Sequence, residues 1–112
     1  MVRIPADAVI AAEKLTRYLL LPRPWDDKAK FLGQAGFNVE NPERLLAALR
    51  ILASEVEAVP DGKNDYGEFF RTDGELGGPN GRRLAVTAIW LRQDADGKVR
   101  FVTLKPRKEG LR

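Results

Sequence analysis

Apolar residues recur at Leu15, Tyr18 and Leu19, the spacing of one helix face, which predicts a first helix from about Ala11 to Leu20. Pro22 and Pro24 end it, because proline lacks the N–H that continues the ladder and restricts the residue before it. Leu21 to Trp25 therefore reads as a rigid connector. A short second helix, Asp27 to Gln34, is expected with Asp26 or Asp27 as cap, Ala29, Phe31 and Leu32 facing inward, and Gly36 as its stop. Asn41 stands as N-cap ahead of Pro42 at N1, and Leu45, Leu46, Leu49, Leu52 and Val56 follow at helical spacing. These predict a third helix from about Pro42 to Val56.

Beyond it the period changes. The run from Pro60 to Asp65 has no apolar residue and several turn formers, so it reads as a loop dividing the chain. Tyr66 to Leu76 carries Phe69 and Phe70, and Arg82 to Gln93 is rich in Val, Thr, Ile and Trp; both are expected strands. Gly77-Gly78-Pro79-Asn80-Gly81 supplies a tight hairpin between them. A second reversal at Asp94–Gly97 leads to Lys98–Lys105, which Pro106 ends. Pairing across a four-residue loop sets Trp90 opposite Phe101, Ile89 opposite Val102 and Thr103 opposite about Ala88. The expected fold class is α+β: about three N-terminal helices packed on a C-terminal three- to four-stranded antiparallel meander, one domain over residues 1–112.

Composition narrows the chemistry. A chain of 112 residues supports one core, and no stretch reaches the roughly 18 apolar residues of a membrane span. With no cysteine and no histidine, thiolate and Ser-His-Asp chemistry are excluded, as are disulfides and histidine–metal sites. Any catalysis must use carboxylates, Lys, Arg, Tyr or hydroxyls, and neither a cofactor nor a metal is expected. The lack of disulfides and of an apolar leader makes the cytoplasm the expected compartment. Of the net charge of +3, residues 98–112 hold Lys98, Arg100, Lys105, Arg107, Lys108 and Arg112 against Glu109. A basic end of this kind attracts phosphates or serves as a solvated tail.

The stretches Glu13–Leu20, Asp27–Leu32 through Gly36-Phe37, Tyr66-Gly67 and Gly74–Gly81, with Thr87-Ala-Ile-Trp90 and Val102-Thr103, resemble the bacterial domain family DUF6883 over residues 9–106. That leaves 107–112 as a basic tail, and the family brings no assigned activity. The layout of helices before a small sheet, with a lysine-bearing helix facing a threonine-bearing last strand, is similar to the barnase/colicin/RelE-like nucleases. The resemblance implies RNA on the sheet, side chains that activate the ribose 2′-hydroxyl or stabilise the phosphate, and a small cognate inhibitor protein as partner. Without histidine, the template is the Lys/Arg/Tyr-dependent members.

Lys28 and Lys30 point roughly 200° apart on a helix, so at most one faces a given site. Lys28 is the candidate for stabilising a phosphorane, against an ordinary solvated helix face. Tyr66 and Glu68 share one side of a regular strand and offer a phenol and a carboxylate for proton transfer, or an anchor and a solvated charge. Arg71 is the second candidate catalytic cation and stands near the hairpin in sequence. Arg82 and Arg83 cluster near the hairpin and suit phosphate contact. The Gly-rich turn lacks P-loop spacing, which excludes nucleoside triphosphate binding. In the regular register Thr103 shares a face with Trp90, Phe101 and Lys105. That face is either a core face or a surface where Trp90 stacks on a base and Lys105 holds phosphate.

The leading expectation is a toxin-type RNA-cleaving or RNA-binding domain, with Lys28, Tyr66, Glu68, Arg71 and Thr103 in catalysis and Arg82, Arg83, Trp90 and Lys105 on nucleic acid. The alternative is a non-catalytic protein-interaction module working through a sheet face or strand edge.

Overall fold

A computed structural model describes residues 2–22 and 28–107 of the chain. Three helical segments precede a four-stranded sheet: a π-helical segment Lys14–Leu19, α1 Lys28–Gly33, α2 Pro42–Glu55, then β1 Val59–Asn64, β2 Gly67–Gly77, β3 Arg83–Gln93 and β4 Val99–Pro106. The strands form an antiparallel meander in the order β1-β2-β3-β4. This is the expected α+β fold, with helices first and the sheet second. None of the described helices is long and apolar enough to cross a membrane.

The core lies between the helices and one face of the sheet. Side chains of a strand alternate in direction, and Phe70, Thr72 and Leu76 of β2 and Leu84, Val86, Ala88 and Trp90 of β3 are buried. Leu45, Leu49 and Leu52 of α2 and Leu32 of α1 close over them. Trp90 is 0% exposed. Its ring meets Phe101 edge-on at 5.4 Å between centroids, and its Nε1–H donates to Thr72 Oγ1 at 3.0 Å. A buried indole N–H left unpaired would be costly, so Thr72 is the polar residue that this apolar face requires.

Three local expectations change. The first helix is π-wound: Leu20 N–H donates to Leu15 O at 2.8 Å, five residues back. The wider turn buries Leu15, Leu19 and Leu20 and rotates Tyr18, expected on the inner face, outward to 56% exposure. Asn41 does begin α2 with Pro42 behind it, but no side-chain cap bond forms. Its amide instead ties the preceding turn, accepting from Asn38 N–H and donating to Gly36 O. The expected loop at Pro60–Asp65 is largely strand β1. All but its first residue is exposed, so no apolar alternation marks it, and it is held by backbone pairing with β2. Pro60, a register shift before Lys63 and Gly62 at φ 100° fit an edge strand whose outer side is protected from further pairing. The proposed caps Asp26 and Asp27, and the connector residues 23–25, lie outside the described residues.

The Gly-rich hairpin is a packing device. Gly78 N–H donates to Arg82 O, Gly81 N–H to Gly78 O, and Asn80 N–H to Ala35 O, while Asn80 Nδ2 donates to Gln34 O. The turn is thereby fastened to the end of α1, with these amides already committed.

Candidate functional site

The sheet face away from the core carries no described helix, and one irregularity decides what it displays. Trp90 pairs with Phe101 as the spacing predicts, but the next partners are Ile89 and Thr103, with Val102 as an extra residue. Phe101 and Leu104 are both buried, so this β-bulge delivers Val102 and Thr103 together to the open side. A regular register would have put Thr103 on the face of Trp90. Instead the row across the open face reads Val59, Arg71, Ile89, Thr103. The next row is Asp73, Thr87, Lys105.

The bulge also meets the helices. Lys28 Nζ donates to Thr103 Oγ1 at 3.1 Å, and Lys14 Nζ donates to Val102 O at 3.1 Å. Lys28 thus meets Thr103 at the β4 end of the row in which Arg71 is the β2 member. Arg71 and Thr103 stand two strand spacings apart, roughly 10 Å between backbones.

Arg71 is held rather than free to swing. Its Nε donates to Asp73 Oδ2 at 3.0 Å and its Nη1 lies 3.6 Å from Asp61 Oδ1. Thr87 Oγ1 donates to Asp73 Oδ1 at 2.5 Å. Partial burial pushes the Asp73 carboxyl up, but the hydrogen bonds from Thr87 and Arg71 and the charges of Arg71 and Arg107 outweigh it, and the acid is stronger than an ordinary aspartate. Such a carboxylate is a weak base and a firm tether: Asp73 fixes the guanidinium on the face.

The other candidates are dispersed. Tyr66 sits in the β1–β2 turn, 72% exposed, five residues from Arg71, roughly 17 Å along the strand. Glu68 accepts from Arg92 Nη2 at 2.7 Å, and Arg92 lies over the Phe70 ring, on the core side of the sheet. Neither reaches the row of Arg71. Arg83 pairs with Glu75 at 2.8 Å, and Arg82 is exposed in the turn. Trp90 is enclosed in the core and presents no ring face on which a base could stack, and Lys105 lies on the opposite face from it. Residues that pattern reading missed are Asp73, Thr87 and Lys14. Asp73 and Thr87 lie two residues along from Arg71 and Ile89, on the same strand face, a period-two signal present in the sequence. Lys14 offered none, because only the π-turn and the bulge bring it to β4.

An α+β domain that presents cations, hydroxyls and tethering carboxylates on an open antiparallel sheet is the class of protein these features define. The chain belongs to the DUF6883 family, a domain of unknown function, whose model matches residues 5–108. A chain of a contact-dependent growth inhibition toxin–immunity protein complex from Klebsiella pneumoniae 342 has a similar structure. The TM-score is 0.65 at 20% sequence identity, covering 93% of this chain and 97% of that one. At that identity the likeness shows a shared fold. No curated protein matches the chain.

Proposed function

We propose that this domain is a toxin-type ribonuclease that binds RNA along the open face of its sheet and cleaves it without histidine or metal. The observation that carries the reading is the Lys28–Thr103 hydrogen bond in the row that also holds Arg71. It gathers two cations from separate elements and a hydroxyl on one exposed face. Cations so placed stabilise the charge that builds on a phosphorane oxygen. In the proposed reaction the RNA 2′-oxygen attacks the adjacent phosphorus in line and the 5′-oxygen leaves. The products are a 2′,3′-cyclic phosphate and a 5′-hydroxyl, and the 2′ proton passes through solvent to the departing oxygen. Lys28 and Arg71 supply charge, and Thr103 and Asp73 hold them in place. Lys105 and Arg107 extend the cationic border along β4 for flanking phosphates. The proposed place of action is the cytoplasm, and the proposed partner is a small inhibitor protein that covers the same face.

One observation favours a second reading. Val59, Phe69, Ile89 and Leu91 are half-buried on the open face, an apolar strip framed by charges that suits a non-catalytic protein-interaction module.

Induced expression separates the two. Wild type should arrest growth, and the purified protein should cut RNA in the presence of a chelator, leaving cyclic-phosphate ends. Lys28→Ala and Arg71→Ala should each lower the cleavage rate about 10²-fold. Harmless wild type together with intact RNA would sink the ribonuclease reading and leave the interaction module.

A further inference from the structure

Two one-residue insertions face each other at the β4 edge. The π-turn widens the helix that carries Lys14, and Val102 widens β4 opposite it. Up to that point the edge is covered by backbone: Val9 N–H donates to Val99 O and Phe101 N–H to Val9 O. From Val102 onward lysines take over, Lys14 on Val102 O and Lys28 on Thr103 Oγ1.

Lys14 is half-buried, and among the described residues its ammonium contacts a neutral carbonyl and no carboxylate. An ammonium has three donors, so two remain beyond the Val102 bond, on a charge partly withdrawn from water. Partial burial of a cation without a counter-charge is unfavourable and is relieved by an anion. The acceptors of Lys14 and Lys28 belong to consecutive residues, which puts their ammonium groups beside the same short stretch of strand.

We propose that Lys14, at the π-turn–bulge junction, is a phosphate-binding residue that holds a backbone phosphodiester of single-stranded RNA next to the one held by Lys28 and Arg71. The assignment rests on the ribonuclease reading and adds a second phosphate position to it. The contact is to the backbone, so it is indifferent to base sequence.

Binding of a fluorescent 2′-O-methyl oligoribonucleotide, which lacks the attacking hydroxyl and stays intact, tests the assignment across a salt series. One phosphate contact on a single strand contributes about 0.7 to the slope of log K against log salt. Lys14→Gln should therefore flatten the slope by about 0.7, so that going from 50 to 200 mM salt weakens wild type roughly 2.6-fold more than the variant. Lys14→Arg should restore the wild-type slope, and circular dichroism melting checks that each variant is folded. If Lys14→Gln melts below the assay temperature, Lys14→Met, which keeps the aliphatic stem, gives the same reading. Unchanged slopes in a folded variant, with wild type still binding and cutting RNA, would overturn the Lys14 assignment alone. Failure of wild type to bind the oligonucleotide or cut RNA would overturn the assignment together with the reading beneath it.

Discussion

Asp73 shows how a single side chain sets the chemistry of a surface. Its carboxylate accepts from Thr87 and Arg71, and its acidity is raised by them. A group whose folded pKa is depressed contributes stability that is present above its unfolded value, here the ordinary 3.8, and that is lost as pH falls through the folded value. Asp73→Asn should therefore flatten the acid limb of a stability–pH curve below about pH 4. Urea midpoints measured from pH 2 to 7 check this, and an unchanged acid limb would contradict it. In the core, Thr72→Val removes the acceptor of the buried Trp90 N–H and should cost about 1–3 kcal/mol. Denaturant unfolding at neutral pH reads the loss; a variant as stable as wild type would show that the indole finds another partner. Both residues were visible in the sequence as polar members of a strand, but nothing in the alternation said which would be tethered and which buried.

At the scale of elements, the close approach of the β2–β3 turn to α1 is the feature most exposed to substitution. A methyl group on Gly78 would overlap the Ala35 carbonyl and side chain, and the Asn80 bonds to Gln34 and Ala35 fix that approach. Gly78→Ala should destabilise the domain by about 2 kcal/mol or more, an overpacking cost, and should loosen α1 and with it Lys28. A melting temperature within a degree of wild type would refute the account. The long strands were legible because each has one buried face and alternates accordingly, and α2 because its leucines recur at helical spacing. Strand β1 was not, since an edge strand with almost every side chain in water leaves no apolar period to detect. The π-turn and the bulge at Val102 were also invisible, because each depends on what packs against it rather than on its own residues.

At the scale of the molecule, the buried hydrophobic residues among those described form one cluster that runs from Ile4 and Ala8 through the helices to Phe101 and Leu104. Helices and sheet therefore share a core and should unfold together. Far-ultraviolet circular dichroism and the near-ultraviolet signal of the enclosed Trp90 should give coincident transitions in denaturant. Separated transitions would mean that the helical half melts on its own.

The order of the helices ahead of β2, β3 and β4, the one-core size, the pairing of Trp90 with Phe101 and the restriction of any chemistry to Lys, Arg, Tyr, hydroxyl and carboxylate groups were determined by the sequence, since periodicity and composition are local properties of the chain. Which candidates meet was decided only in three dimensions. One extra residue in β4 moves Thr103 from the face of Trp90 to the open face, where it joins Lys28 and shares a row with Arg71, and leaves Tyr66, Glu68 and Trp90 elsewhere. Side-chain direction in a strand has a period of two residues, so a single inserted residue reverses the face of what lies beyond it. Only the packing of the strand against its neighbours fixes where that residue goes.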